Sequence, residues 1–211
     1  MPVDVLRRLV PAELAIDTFD GQGWVTLIPF AVRASRPVGV PRAMAMSFLE
    51  VNLRTYVRAP DGEPGIYFFS LEASSWLAVA GARLSYGLPY FPAAMHCEQR
   101  AGGTTVYRSR RYGREHAALE TTWTVGAPLD LAAPGTLEHF LIERYVLFVA
   151  RRRRLYRARV SHHPYPLFRA TVDELRESLC EAAGLTAMPF PPPVVHHSPG
   201  VDVDIYWRHR L

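Results

Sequence analysis

The sequence contains no lysine: all 24 of its cationic residues are arginine. That absence excludes a whole class of chemistry. A lysine amine is the usual Schiff-base former and a frequent buried base, and this chain has none to offer. Cysteine is almost as scarce, with Cys97 and Cys180 far apart in sequence. There is no CxxC pair and no Cys/His spacing of a structural zinc site, so a disulfide framework and a zinc module are both excluded. Two reduced thiols are the expectation. No uncharged apolar run approaches the length of a membrane-spanning helix, so no membrane partner is expected. The N-terminus, Met1-Pro2-Val3-Asp4, shows no basic region followed by an apolar one. A cytoplasmic protein is therefore expected. Nucleotide and nucleophile motifs are missing too: there is no Walker loop, no dinucleotide fingerprint and no G-x-S-x-G serine elbow. No cofactor is expected.

What is present is the make-up of a folded chain. Of 211 residues, 49% are apolar and 21% charged, enough to bury a core and too apolar for disorder. The length favours one domain over residues 1–211. The net charge of +4 is mild. It argues against nucleic acid, which calls for a denser basic face. The densest cluster, Arg151–Arg154, reads as a solvated hairpin tip. His162-His163 and His196-His197 are adjacent pairs, whose members point to opposite faces of a strand, so no metal site is expected. A monomer and a homo-oligomer both remain open.

The hydrophobic pattern is mostly period two. Met46–Arg58 alternates throughout: Leu49, Val51, Leu53, Thr55 and Val57 on one face, Phe48, Glu50, Asn52, Arg54 and Tyr56 on the other. Strands are also expected at Leu14–Phe19, Trp24–Val32, Gly65–Glu72, Ala93–Gln99, Thr104–Arg111, His116–Val125, Val146–Val149, Leu155–Ser161, Leu167–Val172 and Val201–Trp207. Pro29 marks Trp24–Val32 as an edge strand or a bulged one. Arg33–Arg42, with its prolines and Gly39, reads as a loop. Helices are expected at Val3–Leu9, from a Ser74/Ser75 cap through Tyr86, from a Thr136 cap to Arg144, and at Asp173–Ala183. No βαβ alternation is visible. The class is α+β, with a large antiparallel sheet, open or closed into a barrel.

The succession LRRLVPAELAIDTFDGQGW, FLEVNLRTYV, GIYFFSLEA, ARLSYGLPYFPAAM, FLIERY and HHPYPL resembles the YqjF-like family, bacterial proteins distantly related to acetoacetate decarboxylase. The likeness covers nearly the whole chain. It implies a mainly antiparallel, conical β-barrel with short helices packed outside and a pocket inside. Family members carry a further strand ahead of the first helix, and this chain is expected to begin after it. Acetoacetate decarboxylase places its Schiff-base lysine in a block similar to GRE…YPKK. Laid against that block, ARLSYGLPYF keeps Arg83 and Pro89, and the lysine position falls on Tyr90. The strand glutamate corresponds to Glu50. The resemblance thus implies a retained carboxylate and a lost nucleophile.

Glu50 and Tyr90 are the candidate proton-transfer groups, and Asn52, Arg54 and Arg83 the candidate ligand-binding groups. Side chains two apart on one strand face lie about 7 Å from each other. Glu50, Asn52 and Arg54 therefore form either a cavity wall that anchors a small anionic or carbonyl-bearing molecule, or a structural ion pair. Tyr90 is either a donor to an oxyanion or a core tyrosine. Arg83 is either an anchor or a complement to a helix dipole. Arg144 is expected to bond sheet carbonyls or a carboxylate such as Glu50 or Glu72. Two function classes stay open: a binding or enzymatic pocket, acting as a lyase, isomerase or hydrolase, and a non-catalytic interaction or regulatory module.

Overall fold

The computed structural model describes residues 1–35, 45–113, 117–151 and 154–211. Its elements, in chain order, begin with α1 (Val3–Arg7), β1 (Ala15–Ile16), β2 (Thr18–Phe19), β3 (Gln22–Gly23), β4 (Val25–Ser35), β5 (Met46–Arg58) and β6 (Pro64–Ala73). Then come α2 (Trp76–Ser85), β7 (Tyr90–Gln99), β8 (Thr104–Arg111), β9 (Ala118–Pro128) and α3 (Leu137–Ile142). The chain closes with β10 (Val146–Arg151), β11 (Arg154–His162), β12 (Phe168–Glu177), α4 (Leu179–Ala182), β13 (His196–His197), β14 (Val203–Ile205) and β15 (His209–Arg210). Among the described residues no helix is long and apolar enough to cross a membrane. Cys97 and Cys180 are both free.

β5 spans the residues its alternation predicts, and it is the spine of the molecule. β4 pairs along one side of it and β6 along the other, both antiparallel. β4 has no other partner among the described residues, consistent with Pro29 on an edge. Both faces of β5 are covered. Val51 and Leu53 pack with Leu6, Tyr107, Leu119 and Leu179. Tyr56, on the other face, packs with Ile66, Phe68, Leu141 and Leu147. Each fully buried Leu or Val contributes roughly 1.5–3 kcal/mol. The polar residues of the second face are therefore interior residues.

Among the described residues the sheet has thirteen strands and does not close. The closed barrel is thus replaced by an open, branched sheet, and the cause is at β6. Its edge opposite β5 is shared between two strands. Ile66 and Tyr67 pair with Leu147 and Phe148 of β10, and Leu71–Ala73 pair with Tyr90–Pro92 of β7, both in parallel. Between them, Phe68–Ser70 have no ladder partner on that edge among the described residues. The sheet forks there. One wing runs β7-β8-β9-β12-β13 and the other β10-β11 with β14 and β15. Among the described residues no ladder joins the outer strands of the two wings. Gly65 permits the β10 contact, because a Cβ there would lie 2.6 Å from both the Phe148 ring and the Val146 carbonyl.

Two further differences follow from pairing. The sequence pattern shows no βαβ unit, yet β6-α2-β7 is one. α2, capped by the Ser75 hydroxyl accepting from the Ala78 amide, supplies the long connection that parallel strands need. The expected helix from Asp173 is strand through Glu177, because Glu174–Glu177 pair with Leu119–Thr122 of β9. Only Leu179–Ala182 remain helical. Part of the expected loop, Arg33–Ser35, belongs to β4; its continuation from residue 36 lies outside the described residues.

Candidate functional site

The polar face of β5 meets β6, β7 and α3. Cross-strand partners share a face, so Asn52 opposite Leu71, and Leu71 opposite Tyr90, set these residues side by side. Tyr90 is thereby brought from the end of the α2–β7 connection to β5. Its hydroxyl donates to Glu50 Oε2 at 2.9 Å. Glu50 is 4% exposed. Burial is the dominant influence on its carboxyl, which is raised to about 8; the Tyr90 hydrogen bond lowers it, and the nearby Glu72 raises it further. At neutral pH the group is mainly the uncharged acid. Burial, then the neighbouring Glu50 carboxyl, holds the Tyr90 phenol well above its usual range.

Asn52 and Arg54 continue the face. Arg54 Nη2 donates to the Leu141 carbonyl at 2.9 Å. The Tyr56 hydroxyl donates to the same carbonyl at 2.9 Å and accepts from Thr26 Oγ1 at 2.6 Å. Among the described residues three buried polar atoms of this region have no hydrogen-bond partner: Asn52 Oδ1, Arg54 Nε and Trp24 Nε1. Trp24 packs against the same cluster as Tyr56. Such orphaned atoms are costly, about 1–3 kcal/mol each, and mark places where polar groups await a partner.

Four of the five sequence-derived candidates therefore lie on one sheet face, and among the described residues the ion-pair alternative is not formed there. Arg54 pairs with no carboxylate among the described residues. Four residues of extended chain separate its backbone from that of Glu50 by about 13 Å. Arg83 stands apart. It is exposed, donates from Nε to the Tyr90 carbonyl at 2.6 Å, and lies over the Phe91 ring. Arg144 takes neither Glu50 nor Glu72. Its Nη1 bonds Asp17 Oδ2 at 2.8 Å and its Nε the Phe140 carbonyl, and Arg58 holds the other Asp17 oxygen.

A second buried carboxylate lies on the opposite face. Glu72 is wholly buried; Arg111, 4% exposed, donates to its Oε1 from Nε at 3.1 Å and again from Nη2. Ser70 Oγ donates to the other oxygen at 3.1 Å. Burial raises Glu72 while Arg111 and Ser70 pull it down. The Arg111 guanidinium also sits 3.8 Å from the centroid of the Phe91 ring. Tyr107 locks the two layers together, its hydroxyl reaching the Glu50 carbonyl at 2.9 Å and the Phe30 carbonyl at 3.1 Å. Sequence reasoning missed Arg111; it gave Arg144 sheet carbonyls or a carboxylate, and the carboxylate Arg144 finds is Asp17 rather than Glu50 or Glu72. The available signal was the alternation of Thr105, Tyr107, Ser109 and Arg111, a half-polar face that turns out to be inside. Among the described residues no three His, Cys, Asp or Glu side chains are placed to hold a metal ion.

Comparison with known proteins relates the chain and its fold to others. The family model DUF2071, described as an uncharacterized conserved protein, matches residues 1–202. The uncharacterized protein YqjF of Bacillus subtilis (strain 168) is 40% identical over 213 residues, covering 99% of this chain and 86% of that protein. Among solved structures, the enduracididine biosynthesis enzyme MppR complexed with pyruvate superposes with a TM-score of 0.60 at 14% identity, over 99% of this chain and 80% of that one. An acetoacetate decarboxylase-like enzyme from Sphingomonas wittichii RW1 gives 0.59 at 16% identity, over 100% and 87%. These likenesses show a shared fold.

Proposed function

The chain belongs to the DUF2071 family, and on that scaffold we propose that the buried face of β5 binds a small carboxylate- or carbonyl-bearing molecule and moves a proton on it. The observation that carries this reading is the Glu50–Tyr90 pair: a buried carboxyl raised to about 8 and hydrogen-bonded by a phenol, on the face that also holds the unpartnered Asn52 Oδ1 and Arg54 Nε. A general acid works best with a pKa near the working pH. Neutral Glu50 donates to a developing oxyanion, and the Tyr90 hydroxyl then stabilises the carboxylate left behind. Arg54 supplies the cation for a substrate carboxylate and Asn52 an amide contact. Arg83 acts by holding the Tyr90 backbone. With no lysine in the chain, no lysine Schiff base forms; Tyr90 stands where the resemblance places the decarboxylase lysine. The fold neighbour MppR is complexed with pyruvate, a molecule of this class.

Thermal denaturation with pyruvate, acetoacetate and lactate tests binding. A ligand at a hundred times its Kd adds about 2.7 kcal/mol, or about 5–10 °C for a chain of this size. Arg54→Gln should abolish the shift. Proton transfer is read separately, by exchange of the pyruvate methyl protons in deuterated water, which Glu50→Gln should stop and Tyr90→Phe should slow. Silence of all three acids in the melts would sink the proposal.

One observation favours a second reading, a non-catalytic interaction module. Two surface recesses among the described residues, of about 110 and 380 Å³, are lined by neither Glu50 nor Asn52. Under that reading ligand shifts fail while Glu50→Gln leaves a stable fold.

A further inference from the structure

The fork in the sheet is itself a cleft. Where β10 leaves β6 and before β7 joins it, a recess of about 110 Å³ opens. Its walls are Phe68 and Phe69 of β6, Val149 and Ala150 of β10, and Leu88 and Pro89 ahead of β7. A second recess, of about 380 Å³, adjoins it and is lined by Arg151, Arg154, Tyr156 and Arg208. Gly87 ties the two together. It lines the first, and a Cβ there would lie 3.0 Å from both Arg151 Cδ and Arg208 Nη1, which line the second.

Among the described residues nothing compensates the charge in the second recess. Arg208 is held by the Tyr86 carbonyl at 2.8 Å and by the Tyr156 ring, 4.8 Å away. Among the described residues no carboxylate pairs with Arg151, Arg154 or Arg208, whereas Arg157 and Arg159 of the same wing are paired with Asp61 and Glu63. Three permanent cations gathered round one hollow repel each other unless an anion sits among them. The pairing explains why they converge. β10 and β11 form a hairpin with Arg151 opposite Arg154, and β15 returns along β11 with Arg210 opposite Tyr156, carrying Arg208 alongside.

We propose that the fork and the arginine recess form one binding site for a small organic phosphate monoester. The dianionic head takes the guanidiniums, whose planar forks match phosphate oxygens. The apolar tail enters the fork, whose volume approaches the ~150 Å³ of a cavity that holds benzene. A dianion suits three cations better than a single carboxylate does.

Isothermal titration with inorganic phosphate, phenyl phosphate and benzoate tests this on the whole protein. Phenyl phosphate should bind at least about tenfold more tightly than either of the others. Arg154→Gln, at an exposed position without hydrogen-bond partners among the described residues, should weaken phenyl phosphate about tenfold while leaving the melting temperature unchanged. Ala150→Leu should narrow the fork, removing the advantage of the phenyl group but retaining inorganic phosphate. Glu50→Gln should change none of these affinities. The proposal is overturned if phenyl phosphate binds no better than inorganic phosphate or benzoate. Equal binding to wild type and Arg154→Gln, or tighter binding of a short single-stranded oligonucleotide, also overturns it.

Discussion

Glu50→Gln should make the protein more stable, and increasingly so as the pH rises. The reason lies in proton linkage. In the unfolded chain the Glu50 carboxyl titrates near 4.5, and in the folded protein near 8. Between those values the native state holds a proton that the unfolded state has released, so unfolding stability falls with rising pH. The contribution is fully present below about pH 4.5 and is lost as pH rises through about 8. Each pH unit in the window costs about 1.4 kcal/mol, so the wild type loses about 5 kcal/mol across it from this group alone. Glutamine keeps the shape and still accepts from the Tyr90 hydroxyl, but does not titrate. Urea denaturation of both proteins from pH 4.5 to 8.5 measures the difference directly. Glu72 is present in both, so its own titration largely cancels. The two stability curves should diverge steadily with pH. Parallel curves across the window would show that Glu50 is ionised at its usual pH, and the proton-donor role would go with it.

Two other expectations concern the architecture. Arg111→Met leaves Glu72 buried without its cation and should cost about 3–5 kcal/mol in urea unfolding, with Arg111→Met/Glu72→Leu recovering most of the loss; a double variant as weak as the single one refutes this account of the pair. Gly65→Ala drives a methyl group into the Phe148 ring and the Val146 carbonyl; a loss of about 1–3 kcal/mol is expected, together with faster amide exchange in β10. Unchanged exchange would mean the β6–β10 contact tolerates more space than its geometry allows.

Much of the strand content was legible because period-two patterning is local. Met46–Arg58 is readable to its ends, and Pro29 narrows its strand to an edge or a bulge, between which only the pairing with β5 decides. The helix expected at Asp173 failed for the opposite reason. Asp173-Glu174-Leu175-Arg176-Glu177 consists largely of helix-compatible residues, and only pairing with β9, some fifty residues away in sequence, overrules that preference. The site divides the same way. Glu50, Asn52 and Arg54 share a face by alternation alone, whereas Tyr90 entered through a family resemblance. Its 2.9 Å bond to Glu50 crosses 40 residues of sequence. Arg111 meets Glu72 across 39.

The amino-acid sequence by itself determined that no lysine chemistry is available here and that one long strand carries an acid, an amide and a guanidinium on a single face. Those are properties of residue identity and of the two-residue repeat of extended chain. Tertiary structure alone decided that this face is buried, that Glu50 keeps its proton near neutral pH, and that the sheet forks at β6 instead of closing. Burial, desolvation and strand pairing are set by segments distant in the chain, and no local pattern encodes which of them will meet.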